Sequence, residues 1–500
     1  MDSILHHLEN TNNAPTTQQQ AWLESERLLL RSKKIVLEQE MAEFRLQFAA
    51  IERQCNQYTR VLSPIRRFPN EILLEIFNKL SSSDHRSVLS VSQVCHGWRE
   101  VIHDIHSLWT EVTIPLPGHR NQPKDVYQFL QQVEHYALYA GGTPISLTIG
   151  NISESIVDSL LYEIFEEDSD GLSVPVCWSH MSIYTTKLLN FSRLALGHYE
   201  ALGRDTTDLT SLAITASIFD DIYAGLEDVL DLTQFPELRS FRFDIRNPSS
   251  LDNRVLINWN ILTFLTLRSR KSCVEYLEII SRCPALETLD ITPDVIEEDL
   301  VQGPLVTLAK LRKLIITTEY QPITIIERLL CPALEDVAFT FGGFTGINDL
   351  SITHFLERLS AGRLHRLQCS GDALFAFLEK RDKIPSLLSL KVTAPFGEVE
   401  GGLSSIFNEL TQAYDDEHRF FNLLEEMEFQ DYPPFSPGGM MSCATMIESH
   451  IMGSETHPEA KNPRLRFVFT YTERPQLNEP TNLIHILTRY QEMGILSGLF

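Results

Sequence analysis

His103 and His106 are three residues apart, a spacing that lets one helical turn present two ligands to a metal ion. No nearby cysteine or histidine supplies the other two ligands, so we expect both to be solvated surface side chains. Cys283 and Cys331 each precede Pro-Ala-Leu-Glu, which indicates equivalent positions in a repeated unit rather than a redox pair. Free cysteine is commonly a small buried apolar residue. The sequence therefore predicts no metal site and no cofactor.

Motifs of the common enzyme classes are absent from the sequence. It contains no phosphate-binding loop, no dinucleotide fingerprint, no nucleophile elbow and no zinc-protease helix. The glycine clusters at 342–346 and 438–439 lack a following helix with a lysine, which argues against a phosphate cradle. We therefore expect no catalytic residues and a protein that is not an enzyme.

Composition sets broad limits on the class of protein. The 500 residues are 43% hydrophobic and 22% charged, as in ordinary globular chains, so wholesale disorder is excluded. The net charge of -25 argues against nucleic-acid binding, because phosphate contacts need clustered Lys and Arg. We find no apolar run long enough to span a membrane, no secretory signal and no Cys-x-x-Cys pair. We expect an intracellular protein of the cytoplasm, the nucleus or both.

The N-terminal region predicts a disordered polar tail over residues 1–20 and then an amphipathic helix or short coiled coil over 21–62. Residues 21–62 contain no Pro and no Gly, and Pro64 follows. Apolar residues recur at steps of three and four from Leu37 onward, which is a heptad seam. The seam consists of Leu30, Leu37, Met41, Phe44, Phe48, Ile51, Cys55 and Tyr58. A coiled coil and a helix that folds back on the next domain explain it equally well.

Residues 63–108 predict a small all-α domain of two short amphipathic helices separated by the turn SSSDHRS. The first apolar stripe is Ile72, Leu73, Ile76, Phe77 and Leu80, and the second is Val88, Val91, Val94, Cys95 and Trp98. Both have helical spacing. Helices this short are unstable alone, so both must pack against something.

From residue 109 to 475 a short apolar pattern repeats. It has the spacing L-x-x-L-x-L, which is the strand core of a leucine-rich repeat. Its middle residues are Val112, Met181, Leu212, Phe241, Leu265, Leu289, Leu314, Val337, Leu367, Leu390 and Met427, with a weaker copy at Leu147. The steps from Leu238 to Leu387 are 24, 24, 25, 23, 30 and 23 residues, and helical stripes such as Ile352-Phe355-Leu356-Leu359 lie between copies.

These repeats predict an α/β fold, an irregular leucine-rich-repeat solenoid of strand-turn-helix units preceded by the long helix and the small all-α domain. Because a solenoid grows by adding units, such a length can be a single domain. The segment 431–441 is rich in Pro and Gly and predicts a loop. Residues 476–500 predict a C-terminal capping helix.

The segment FPNEILLEIFNKL…VLSVSQVCHGWREVI resembles the F-box, and with the long helix before it the chain resembles many fungal (basidiomycete-like) F-box proteins. The resemblance rests on an apolar-Pro pair, Glu-Ile-Leu, Ile-Phe, Leu and Val-Cys-x-x-Trp. Here these are Phe68-Pro69, Glu71-Ile72-Leu73, Ile76-Phe77, Leu80 and Val94-Cys95-x-x-Trp98.

The resemblance implies the substrate-recognition subunit of an SCF-type (Skp-cullin-F-box) E3 ubiquitin ligase. The F-box would dock on the Skp adaptor and through it on a cullin, and the repeats would bind a protein substrate. The docking residues it implies are Phe68, Pro69, Ile72, Leu73, Ile76, Phe77, Leu80, Val94 and Trp98. Arg239, Arg242, Asp290 and Lys313, at x positions of the repeats, are candidate substrate contacts. The alternative is a non-catalytic repeat scaffold that forms a homodimer through residues 21–62, without ubiquitin transfer.

Overall fold

Long runs of regular secondary structure dominate the computed structural model. It describes residues 6, 10, 14–83, 87–114, 123–152, 178–185, 209–216, 230–233, 235–245, 255–268, 272–293, 305–318, 323–341, 349–359, 363–370, 373–374, 377–378, 384–393, 406–408, 410–411, 423–430, 437–452, 465–470, 490–491 and 496–497. The chain forms two compact units, Met1–Lys79 and Leu80–Phe500.

The first helix, α1, runs from Thr17 to Leu62 and is 46 residues long, about 69 Å at 1.5 Å per residue. A capping box starts it: the backbone N–H of Gln19 donates to Thr16 Oγ1, and the backbone N–H of Thr16 donates to Gln19 Oε1 at 3.0 Å. This cap explains why the helix begins four residues before the predicted start at residue 21, within the segment expected to be a tail. Most of the remaining predicted tail lies outside the described residues.

Three short helices follow: α2 from Asn70 to Ser83, α3 from Ser87 to Ser92 and α4 from His96 to His103. The second predicted stripe was expected to be one helix, and this was wrong because the chain turns between α3 and α4. Arg99 stabilises the break, since its Nε donates to the carbonyl of Ser92 at 3.0 Å.

The core of the second unit is a parallel sheet of fourteen strands among the described residues, arranged in chain order. The strands are β1 Glu111–Ile114, β2 Ile145–Ile152, β3 Trp178–Thr185, β4 Ser211–Ala216, β5 Ser240–Ile245, β6 Phe264–Arg268, β7 Thr288–Thr292, β8 Lys313–Thr318, β9 Asp336–Phe341, β10 Arg366–Ser370, β11 Ser389–Thr393, β12 Glu426–Gln430, β13 Arg466–Thr470 and β14 Leu496–Ser497.

The register of the sheet confirms the predicted strand positions. The middle residues of all twelve predicted copies are direct neighbours in one row, from Val112 on β1 to Met427 on β12. All of them are buried, as are the apolar residues two positions later that are described. Intervening side chains point to the opposite face, because strand residues alternate between faces. We call that opposite side the open face of the sheet.

Helices connect several of the strands: α5 Pro123–Ala140, α6 Cys273–Ser281, α7 Ile323–Arg328, α8 Asp349–Arg358 and α9 Pro437–Met452. The predicted stripe in α8 is buried at Ile352, Phe355 and Leu356. Parallel strands need crossovers of this kind. The structure thus confirms the mixed α/β class with a parallel sheet and an N-terminal helix.

Two expectations near the C-terminus were wrong for part of their residues. Residues 437–441 belong to α9 rather than to a loop, with Pro437 in the first turn, where its missing N–H costs no hydrogen bond. Leu496 and Ser497 form a strand beside Phe467 and Val468, so this part of the predicted capping helix extends the sheet instead. Residues 490 and 491 of that predicted helix are helical, as expected. Residues 431–436 of the predicted loop and 476–489, 492–495 and 498–500 of the predicted capping helix lie outside the described residues. No helix in the described part of the chain is long and apolar enough to cross a membrane.

Candidate partner-binding surfaces

The apolar stripe of α2 divides into two rows. Ile72, Ile76 and Leu80 are spaced by four residues and are 44%, 39% and 38% exposed. Leu73 and Phe77 are only 5% and 3% exposed. The sequence analysis assigned all five to a docking surface. Their burial divides the five residues into two groups. Leu73 and Phe77 are buried within the fold, whereas Ile72, Ile76 and Leu80 expose apolar area that a partner can cover.

Pro69 fixes where α2 begins. Its carbonyl accepts hydrogen bonds from the backbone N–H groups of Ile72 at 3.1 Å and Leu73 at 3.2 Å. Proline suits this place because the N–H it lacks would have no partner within the helix. Phe68 just before it is 43% exposed, and Pro69 is exposed as well. Both therefore lie at the surface beside the start of the exposed row.

Val94 and Trp98 lie in the segment that contains α3 and α4. Val94 is in the turn between these helices and is 59% exposed, whereas Trp98 on α4 is half-buried. Val94 therefore exposes apolar surface to solvent, in addition to the exposed row of α2.

Of the two histidines expected to be solvated, His106 is exposed, whereas His103 is half-buried. The ring of His103 stacks on Tyr139 with the ring centroids 3.9 Å apart, and His106 donates from Nδ1 to the carbonyl of Tyr139 at 2.7 Å. His103 and His135 flank the buried Trp109, and burial lowers the pKa of both histidines. No three His, Cys, Asp or Glu side chains among the described residues are grouped to hold a metal ion.

The repeated cysteines are buried. Burial raises the pKa of Cys283 and of Cys331 to about 12, so both thiols stay protonated at neutral pH. They pack as small apolar side chains, as the sequence predicts.

A charged network lies on the open face of the sheet. Arg268 Nη2 donates to Asp290 Oδ2 at 3.0 Å, and Arg268 Nη1 is 3.9 Å from Asp244 Oδ2. Arg242 Nη2 is 4.0 Å from the same Asp244 oxygen. Two arginines and two aspartates thus alternate across β5, β6 and β7. Their opposite charges offset one another, so the network fixes side-chain positions rather than creating a field of one sign.

Three buried polar atoms of the network lack a hydrogen-bond partner among the described residues. Arg242 Nε, Arg268 Nε and Asp290 Oδ1 are buried and have no hydrogen-bond partner within the described part of the chain. A buried polar atom costs free energy until a partner satisfies it. Each of these three atoms therefore costs the folded chain some free energy.

The four predicted substrate residues do not form one patch. Arg242 and Asp290 share a row of the open face, separated by Thr266. Asp290 is only 7% exposed, so the expectation of an exposed contact was wrong for it. Its carboxylate is drawn inward by the bond from Arg268. Lys313 occupies the next row and pairs with Asp336 at 3.1 Å.

Arg239 lies before β5 rather than on the strand, and its side chain pairs with Glu237 at 3.0 Å. Sequence reasoning missed the centre of the network, Arg268 and Asp244. Both come directly after the last apolar residue of the repeated pattern and so lie outside its x positions. Lys391 and Glu428, 2.8 Å apart on the same face, were missed as well.

The comparisons with known proteins bear on the region around α2. Residues 65–115 match the model of the family described as F-box-like. No curated protein matches the chain at a significant level. The match includes α2, α3, α4 and β1, and with them the exposed row of α2. Residues 65–115 are therefore an F-box-like domain, which indicates a role in binding the Skp adaptor of SCF complexes.

Proposed function

We propose that the chain is the substrate receptor of an SCF-type ubiquitin ligase. The observation that carries the proposal is the exposed row Ile72, Ile76 and Leu80 on α2, inside the F-box-like domain. Burying half-exposed apolar side chains against a partner is favourable at about 25 cal/mol per Å². The row therefore suits the Skp adaptor, which in turn binds a cullin.

Four more residues that the F-box resemblance names are proposed to contact the adaptor. Phe68 and Pro69 flank the start of the row, and Val94 and Trp98 come from the following helical segment. Interface energy concentrates in a few large apolar side chains, with aromatic ones enriched. We expect Phe68 and Trp98 to be the strongest contacts of these four.

The sheet region is, in this proposal, an irregular leucine-rich-repeat array that captures the substrate. Three observations support it: the continuous parallel register of consecutive strands, the buried apolar row that every copy of the pattern supplies, and the spacing of copies near that of such repeats. The resemblance to fungal F-box proteins points the same way.

Substrate contact belongs, in this proposal, to the open face around the charged network. Arg242 and Lys313 have side chains that are 42% and 44% exposed, so they can reach a bound protein. The mechanism is positional: the receptor is not an enzyme, and it raises the effective concentration of a substrate lysine near a ubiquitin-loaded enzyme. Such a subunit acts in the cytoplasm, the nucleus or both.

Adaptor binding is tested by co-purification of the full chain with a Skp adaptor. Ile72→Glu combined with Ile76→Glu should abolish co-purification, because two carboxylates would be buried against an apolar partner. Leu73 is left intact, since a charge at this buried residue would unfold the helix. Val274→Glu on α6, a substitution at a residue 41% exposed, is the matched control and should bind normally.

Far-UV circular dichroism should be unchanged in both variants. A wild-type chain that never co-purifies with the adaptor, or a double variant that binds as well as the control, would contradict the proposal.

Substrate capture is tested separately by proximity labelling in cells with blocked proteasomes. Proteins labelled by the wild type and lost with Arg242→Glu plus Lys313→Glu are candidate substrates. The control is Arg239→Glu, whose side chain lies outside the strands. Equal labelling by all three chains would contradict the assignment of substrate binding to the open face.

The second candidate is a scaffold that dimerises without ubiquitin transfer. The exposed apolar seam of α1 favours self-association, but it does not distinguish a scaffold from a dimeric receptor. The adaptor experiment separates these two functions.

A further inference from the structure

The heptad pattern of α1 begins earlier in the helix than the regular apolar steps from Leu37 onward. With Met41, Phe48 and Cys55 at heptad position a, the d positions are all apolar over six consecutive heptads. These d residues are Leu23, Leu30, Leu37, Phe44, Ile51 and Tyr58. Positions a and d are both apolar in three consecutive heptads, which start at Met41, Phe48 and Cys55 and meet the usual lower threshold for a coiled coil. The d row extends the seam over three more heptads toward the N-terminus.

The seam side chains lie at the surface of the helix. Leu37, Phe44, Phe48 and Tyr58 are 58%, 67%, 69% and 68% exposed. A row of large apolar residues this exposed requires a cover of equal length. A straight helix of about 69 Å finds such a cover most simply in another copy of itself.

The charges beside the seam specify how two copies would pair. In a parallel, in-register pair, position g of one helix meets position e of the next heptad on its partner. The three such pairs in the first half are Glu26 with Arg31, Lys33 with Glu38, and Glu40 with Arg45. Every one joins opposite charges, and symmetry doubles each pair. The following e and g positions, Gln47, Glu52, Gln54 and Thr59, bring no like charges together.

The residues at position a favour a coiled coil of two helices over one of three or four. Arg27 and Lys34 occupy a in the first half, where e and g charges are dense, and Met41, Phe48, Cys55 and Leu62 occupy it in the second. In a dimer the apolar stem of Arg or Lys packs against the seam while its charged end reaches water. A polar residue at a fixes register and oligomeric state at some cost in stability.

We propose that α1 pairs with α1 of a second copy of the chain as a parallel, in-register, two-stranded coiled coil. The two F-box-like domains then follow the same end of the coiled coil, because each begins just after Leu62. A receptor of this kind presents two adaptor-binding rows together. The inference does not rest on adaptor binding, since the pairing uses only residues of α1.

The oligomeric state of the full chain is the first test. Light scattering should give twice the chain mass of 57.1 kDa for the wild type. Phe44→Glu, at position d, should shift the mass to that of one chain. Leu46→Glu is the matched control: it is two residues away and 70% exposed, but lies at position f, so its mass should stay that of a dimer. A monomeric wild type, or equal behaviour of the two variants, would overturn the proposal.

The orientation is tested through Cys55, an exposed free cysteine at position a. In a parallel, in-register pair the two Cys55 residues face each other within the separation that a disulfide spans, a Cα–Cα distance below about 7 Å. Mild oxidation should therefore yield a covalent dimer on a non-reducing gel, and Cys55→Ser should abolish it without changing the mass by light scattering. A dimer that gives no Cys55 cross-link would overturn the parallel register.

Pairing and adaptor binding can fail independently. Phe44→Glu should keep adaptor co-purification, and Ile72→Glu with Ile76→Glu should keep the dimer mass. A dimer without adaptor binding would therefore refute the proposed function and leave the coiled coil in place.

Discussion

Trp109 donates its indole N–H to the backbone carbonyl of Ile102 at 3.0 Å, and both residues are completely buried. Ile102 lies in the last turn of α4, where carbonyl groups lack partners within the helix. Trp109 immediately precedes the first strand. One side chain thus connects the end of α4 to the start of the sheet.

Replacing this indole should weaken that connection. Trp109→Phe removes the side-chain hydrogen bond to the Ile102 carbonyl, which also accepts from the backbone N–H of Ile105 at 3.2 Å, and leaves part of a cavity. We expect the free energy of unfolding to fall by about 2 kcal/mol. Urea unfolding followed by far-UV circular dichroism measures it. Leu138→Ala, at a residue 59% exposed, should change little, and equal losses in both variants would contradict this role.

The two ion pairs of the open face should differ in strength because they differ in burial. Arg268→Met leaves the 7%-exposed Asp290 without its charged donor, and we expect a loss of about 2 kcal/mol. Lys313→Met removes a pair whose lysine side chain is 44% exposed, and such surface pairs contribute only about 0.2–1 kcal/mol. Urea unfolding of the two variants compares them directly. A larger loss for Lys313→Met would contradict the assignment of Arg268 as the centre of the network.

The strands were predictable from sequence because a buried parallel strand needs apolar residues at fixed alternation. Leu265, Leu289 and Leu314 occupy equivalent places in their strands and take equivalent places in the register. The two final strands were missed because Arg464, three residues before Phe467 of β13, is not apolar and breaks the pattern. A two-residue strand such as β14 leaves almost no periodicity to detect.

The candidate sites were only partly predictable, because burial decides them and sequence does not report burial. Ile72 and Leu73 are adjacent members of one stripe, yet only Ile72 is exposed. Arg268 and Asp290 are 22 residues apart and meet because neighbouring strands align. The packing of His103 on Tyr139 joins residues from separate helices and has no local signal.

The aromatic cluster around Trp109 should make the fold sensitive to acid. The pKa values of His103 and His135 are lowered from 6.5 chiefly by burial, so the unfolded chain binds more protons than the folded chain as pH falls below 6.5. The stability that these two neutral histidines contribute is therefore fully present above pH 6.5. It is lost as the pH falls through their lower, folded-state pKa values.

Thermal unfolding at pH 7.5, 6.5 and 5.5 tests this expectation. The wild-type midpoint should fall toward acid, and the double variant His103→Phe, His135→Phe should show a smaller fall because it keeps two aromatic rings but cannot bind these protons. The same pH dependence in both chains would contradict a contribution from this cluster.

The turn between α5 and β2 contains two glycines that should respond differently to alanine. Gly141 has φ +60° and Gly142 has φ +83°, both in the left-handed region that side chains disfavour. A Cβ on Gly141 would lie 2.8 Å from the ring of His106, whereas a Cβ on Gly142 would meet nothing within 4 Å. Gly142→Ala should therefore cost about 1 kcal/mol of backbone strain.

Gly141→Ala should cost about 1–2 kcal/mol more than that, because His106 must move and its bond to the Tyr139 carbonyl is broken. Urea unfolding of both variants, repeated in a His106→Ala background, separates strain from collision. In that background the two glycine substitutions should cost the same, since the ring that collides with the new Cβ is gone. A difference that persists without His106 would assign the extra cost to the backbone of residue 141 itself.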